Sequence, residues 1–141
     1  MPVQMELARV LISETQGTHY VELREVDPPL AGQPRRFPIV IGLIEAAAIE
    51  RRLMNQVPPR PQTHELLSDV IEKLGYRLDR VIISDLSEHT FFARLRLRST
   101  REPSDCREVD SRPSDAIALG AAYDVPIEVA DHVIDEVCRE A

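Results

Sequence analysis

Cysteine, aromatic residues and lysine are all scarce in this sequence. Cys106 and Cys138 are the only cysteines. They form no CxxC pair and leave no basis for a disulfide framework or a Cys/His zinc centre, so a reducing compartment is expected. Tryptophan is absent and aromatics make up 4%, so the core must rest on Leu, Ile, Val and Ala. No apolar run approaches the roughly 20 residues of a membrane-spanning helix. Met1–Arg9 lacks the basic-then-apolar layout of a secretion signal. The expectation is a cytoplasmic chain with no membrane partner. GxGxxG, the Walker P-loop, HExxH and GxSxG are all missing, which removes support for dinucleotide binding, P-loop hydrolysis, zinc catalysis and serine hydrolysis.

Lys73 is the only lysine among 17 basic residues, and the net charge is −7. That balance works against non-specific binding to nucleic acid, where Lys and Arg neutralise phosphates. Arginine suits bidentate phosphate contacts, although the skew follows more readily from gene base composition.

The length of 141 residues fits one domain, 1–141, and 43% hydrophobic with 29% charged residues is ordinary for a globular fold. The chain repeats itself. Arg9-Val10-Leu11-Ile12-Ser13-Glu14 reads almost as Arg80-Val81-Ile82-Ile83-Ser84-Asp85. Ile39, Glu45, Ala46, Ala48 and Ile49 align in the same way with Val109, Asp115, Ala116, Ala118 and Leu119. Two matches at nearly one offset imply a duplication. The fold expected is α+β, with internally duplicated strand-strand-strand-helix units and a mostly antiparallel or mixed sheet packed with helices.

Copy one (about 5–54) predicts strands near Met5–Ser13, Tyr20–Val26 and Arg36–Ile41, then a helix near Leu43–Met54. Copy two (about 80–123) predicts strands near Arg80–Leu86, Phe91–Arg98 and Arg107–Asp110, then a helix near Pro113–Tyr123. A connecting helix (63–74) starts at Thr63 as its cap and stops at Gly75. A short strand, Pro126–Val129, leads to a last helix (131–139) with Asp131 as its cap. Ser87–His89 and Gln16-Gly17 read as hairpin turns, and Pro28–Pro34 as the least constrained loop. In the first helix, Leu43, Ala46, Ala47, Ile49, Leu53 and Met54 are expected inward, with Arg51 and Arg52 turned out. The helix after Pro113 is apolar nearly all round and should be buried.

Polar groups gather where elements join. Asp110-Ser111-Arg112-Pro113-Ser114-Asp115 ends a strand and opens a helix, with Pro113 at the first helical position. Glu45 holds the matching first-turn place, with Gly42 as cap. A first-turn carboxylate satisfies free N–H groups and meets the positive helix end, so a structural role competes with a chemical one. Arg60-Pro61-Gln62-Thr63-His64-Glu65 places Arg, His and Glu in one rigid turn. Histidine can serve as general acid or base there, against a plain capped helix start. Arg94, Arg96 and Arg98 share one face of their strand with Phe92. They could track phosphates, but a solvated face paired with Glu or Asp is the more common arrangement. His19, His89 and His132 are expected at the surface.

These blocks resemble a known family. Phe37-Pro38-Ile39-Val40-Ile41-Gly42 with Glu45-Ala46-Ala47-Ala48-Ile49, then Arg60–Leu67, Asp110–Leu119 and Val125-Pro126-Ile127, resemble in order and spacing the blocks of the bifunctional nuclease domain family. The resemblance covers roughly Val3 to Val137. Glu65, Ser111 and Gly120 depart from the usual Asp, Ala and Ala of the pattern. It implies a compact duplicated α+β fold and hydrolysis of RNA and DNA, and it carries no settled catalytic residues.

Two readings follow. In the first, the chain is a nuclease. His64, Glu65, Asp110, Asp115 and Glu45 are then catalytic candidates, and Arg60, Arg112, Ser114 and Thr63 hold phosphate. Asp110, Asp115 and Glu45 would bind Mg²⁺ or Mn²⁺. In the second, the chain is a non-catalytic binding, regulatory or oligomerisation module. Exposed strand edges favour a homo-oligomer, a dimer first, in either case.

Overall fold

Alternating burial sorts the strands. Val21 and Leu23 are buried in β2 (His19–Glu25), and Phe37, Ile39 and Ile41 in β3 (Arg36–Ile41), while their neighbours turn outward. This period of two is that of a strand with one face on a core. The computed structural model describes residues 2–13, 15–27 and 32–139. Most of the loop expected over Pro28–Pro34 therefore lies outside the described residues. The remaining elements are β1 (Val3–Ile12), α1 (Leu43–Leu53), α2 (Thr63–Lys73), β4 (Tyr76–Ser87), β5 (Thr90–Ser99), β6 (Cys106–Ser111), α3 (Pro113–Ala121), β7 (Ile127–Val129) and α4 (Asp131–Arg139). The α+β expectation holds, and the order strand-strand-strand-helix occurs twice. No helix of the described residues is long and apolar enough to cross a membrane.

All seven strands form one sheet in the order β3-β2-β1-β7-β4-β5-β6. Two antiparallel three-stranded meanders flank β7, which runs antiparallel to β1 and parallel to β4. The repeated segments beginning at Arg9 and Arg80 thus lie on either side of it. The sheet curls until Phe37 of β3 stacks on Phe91 of β5, ring centroids 5.7 Å apart. Edge strand β3 carries Pro38, which has no N–H to offer a neighbouring strand. The β4–β5 turn places Glu88 and His89 at φ 51° and 65°, the left-handed pair of a two-residue hairpin.

α3 is the centre of the molecule. Seven of its nine residues are buried, as its apolar composition predicts. It lies on β4 and β5, and α1 and α2 both pack against it. Ile49, Ile117, Leu119, Val133 and Ile134 join the inward strand residues in one core. Small side chains at Ala46, Ala116 and Ala118 let the helices approach closely.

Several expectations change. Arg52 is not turned out: it is 7% exposed, while Leu43, Ala47, Leu53 and Met54 are on the exposed side. Its Nε donates to Ala118 O at 2.6 Å and its Nη2 to Leu119 O at 3.3 Å, so it satisfies carbonyls in the last turn of α3. The cap of α2 is Gln62, with Thr63 already helical. Glu65 reaches back to the Gln62 N–H at 3.1 Å, the reciprocal half of a capping box. His19 is buried, because strand alternation places it on the inner face with Val21 and Leu23. Asp131, like Thr63, is already helical, at the first position of α4 rather than its cap. Of the arginine stripe of β5, Arg94 pairs with Glu108 and Arg98 with Asp79, while Arg96 Nε is buried with no acceptor.

A candidate site where three helices begin

α1, α2 and α3 start at Gly42, Gln62 and Arg112 as caps, and each carries a carboxylate in its first turn: Glu45, Glu65 and Asp115. First-turn residues from all three line one cavity of about 190 Å³, among them Glu45, Thr63, His64, Arg112 and Asp115. Three positive helix ends therefore face a common space.

Asp115 is the hub. His64 Nε2 lies 2.9 Å from its Oδ1, and Arg112 Nε donates to its Oδ2 at 2.8 Å. Burial works to raise the Asp115 pKa, but hydrogen bonds from Arg112 and then His64 outweigh it and hold the carboxyl below the usual range. An ionised carboxylate only accepts, so Nε2 carries the hydrogen of that bond. In a neutral ring, Nδ1 is then the free acceptor, and no hydrogen bond engages it among the described residues. This is the geometry of a general base oriented by a carboxylate.

Arg112 extends the network, its Nη1 standing 3.6 Å from Glu45 Oε1. Its side chain is 66% exposed, leaving the guanidinium open to a ligand. The Asp115 contact raises its pKa further, so it stays charged. Glu45 folds back over its own cap: a Cβ at Gly42 would lie 2.6 Å from Oε1. Arg51 also lines the cavity. It holds Glu65 at 3.2 Å, yet its Nε is buried with no acceptor, a costly condition for a donor. Burial pushes the Glu65 pKa up, but the Arg51 charge and the Gln62 N–H outweigh this and lower it.

Glu45, Thr63, His64, Arg112 and Asp115 thus come together, and Glu65 joins through Arg51. Ser114 is buried and lines a neighbouring cavity of about 400 Å³ that shares Glu45 and Arg112. Asp110 pairs with Arg94 across β5 and β6. It is absent from the cavity of Glu45 and His64 but lines the adjoining groove together with Ser111. Arg60 is exposed and lines neither cavity. Arg51 and Arg52 were missed by reading charge ahead of surroundings: Arg52 bonds the last carbonyls of α3 and Arg51 pairs with Glu65 of α2. Among the described residues no three His, Cys, Asp or Glu side chains stand as a metal-ligating group. Asp115 commits both oxygens to protein donors, and Asp110 lines the adjoining groove but not the cavity that holds Glu45. The trio of Asp110, Asp115 and Glu45 does not fit a divalent ion in this arrangement.

An α+β domain holding a His–Asp–Arg cluster at converging helix starts defines the class. Residues 30–141 match the model of the bifunctional nuclease domain, and the chain belongs to that family. It is 36% identical over 131 residues to an uncharacterised protein of Mycobacterium tuberculosis, covering 93% of this chain and 73% of that one. It is also similar to bifunctional nuclease 2 of Arabidopsis thaliana, 30% identical over 93 residues, 66% of this chain and 28% of the relative. Bifunctional nuclease 1 of Oryza sativa subsp. indica is 25% identical over 121 residues, 86% of this chain and 36% of its own length. The chain therefore corresponds to about a third or less of those two plant relatives.

Proposed function

We propose that this chain is a phosphodiesterase acting on nucleic acid, with His64 as general base, Asp115 as the group that orients it, and Arg112 as the phosphate ligand. The observation that carries the reading is the shared carboxylate. His64 and Arg112 bind its two oxygens, so a proton acceptor and an anion holder stand side by side where three helices begin. Arg51, which also lines the cavity, adds a second guanidinium beside it. The names of the plant relatives support the choice of nucleic acid as substrate.

Labelled RNA and DNA, incubated with the protein with and without chelator, test it. His64→Ala should lower the cleavage rate by about 10²–10⁴-fold. Equal activity in His64→Ala and wild type would sink the assignment.

A binding module is the second reading, favoured by one surface. Leu66, Leu67, Val70 and Leu74 form an exposed apolar stripe along α2, a feature that marks contact sites. Sedimentation that shows only monomer, with no partner retained, would count against it.

A further inference from the structure

Resting on the phosphodiesterase reading, we infer that the groove beside His64 seats an unpaired guanine of the substrate, in RNA and DNA alike, and that Asp110 reads its edge. The cavity of about 190 Å³ around His64 has room for a phosphate and part of a sugar, not for a whole nucleotide. A base next to the scissile phosphate must therefore lie outside it. The groove of about 600 Å³ adjoins the cavity and shares Thr63, His64, Arg112 and Asp115 with it. Leu67, Ile71, Leu95, Leu97, Val109 and Leu119 wall the rest. Such walls remove the faces of an unstacked base from water. On the other side, the cavity of about 400 Å³ meets the same site through Glu45 and Arg112 and gives the strand a way out.

Two polar residues line the groove without also lining the cavity of His64: Asp110 and Ser111. The Ser111 hydroxyl donates to Arg112 O at 2.8 Å, so its oxygen is left as an acceptor. Asp110 is exposed, and no hydrogen bond or ion pair engages its carboxylate among the described residues. Arg94, opposite it in the strand ladder, goes to Glu108 at 3.2 Å instead. Beyond the groups that face the phosphate, the groove thus meets a base with acceptors alone.

A carboxylate offers two acceptor oxygens side by side. Guanine has the matching edge, where N1–H and an N2–H stand next to each other. In adenine and cytosine the amino group sits beside a ring nitrogen that is itself an acceptor. In thymine and uracil the one N–H lies between two carbonyls. Each of these bases would turn a lone pair toward the carboxylate and leave one of its oxygens without a donor. The guanine edge is the same in ribo- and deoxynucleotides, so the groove accepts RNA and DNA equally. In a duplex that edge is taken by cytosine, so the guanine must be unpaired. A bidentate pair of this kind discriminates by about 5–100-fold, and the exposure of Asp110 places it toward the lower end.

Single strands with one variable base decide the matter, made as DNA in a thymidine background and as RNA in a uridine background. The variable base is guanine, hypoxanthine, adenine or cytosine, and hypoxanthine keeps N1–H but lacks the amino group. Each is incubated with the full chain in Mg²⁺, alone and annealed to its complement, and the fragments are sized by mass spectrometry. The expected result is cleavage beside guanine at least about fivefold faster than beside adenine or cytosine, in both backbones, with hypoxanthine between them and the annealed strands spared. Asp110→Asn offers one acceptor and one donor, which suit adenine and cytosine, so it should move the preference to those bases. Asp110→Ala should lose the preference without gaining another. Equal cutting at every base, equal cutting of annealed strands, or a guanine preference that survives in Asp110→Asn overturns the inference and leaves the phosphodiesterase reading standing. No cleavage of any strand, or cleavage that persists in His64→Ala, overturns both.

Discussion

Arg52 shows what a single side chain does for the site without entering it. It ties α1 to the last carbonyls of α3 and touches Glu65 of α2 through Nη1 at 3.4 Å, so one guanidinium sets the three helices against each other. Removing it strands two carbonyls and half of an ion pair. Arg52→Ala should cost about 3 kcal/mol in urea denaturation, near the low end for breaking a buried pair. Glu65 makes a matching prediction about pH. Its folded pKa lies below its ordinary value, so the charge stabilises the fold above the usual glutamate range. That contribution is lost as pH falls through the folded pKa. Glu65→Gln should keep the cap but lose the charge. The stability gap to wild type, measured by thermal melts, should be present at pH 7 and close in strong acid. A gap that stays constant with pH would show that the charge is not the cause.

At the scale of the element, α3 carries a glycine it does not need. Gly120 is helical, and a Cβ there would meet Val125 and Val81 at 3.5 Å, ordinary contact distances. Gly120→Ala should stabilise by about 0.5–1 kcal/mol through helix propensity, a rise of roughly 2–4 °C in Tm for a chain of this size. Element positions were largely legible in the sequence, because β-branched runs, Pro113 and Gly75 punctuate the chain. Gly75, at φ 85°, does stop α2. The inner face of α1 was not legible from charge. Ala48, Ile49 and Arg52 follow a helical period, and only the carbonyls at the end of α3 explain why an arginine keeps it. Among the site residues, Glu45, His64, Arg112 and Asp115 were readable because helix starts are marked in sequence. The placement of Asp110 depended on strand geometry, which leaves it in the adjoining groove and outside the cavity that holds Glu45, His64 and Asp115.

For the whole molecule, charge is the constraint. The chain bears −7, and most arginines on the outer face of the sheet are already paired, as Arg24 is with Glu6 and Arg80 with Glu128. Few phosphates can be contacted at once. Between 50 and 200 mM salt, kcat/KM on an oligonucleotide should change by less than about tenfold, where a protein contacting 6–10 phosphates would lose 10³–10⁵ in affinity. A steep salt slope would mean a basic track that the site geometry does not contain.

The order in which the chain is made gives β7 a special weight. Two meanders can form early during synthesis, but they have no common strand until Ile127–Val129 emerges and pairs with β1 on one side and β4 on the other. Three late residues convert two half-sheets into one. A nascent chain arrested before Ile127 would hold Glu45, His64 and Asp115 while lacking the strand that joins its halves, so the candidate site and the finished sheet should mature together, once β7 has been made.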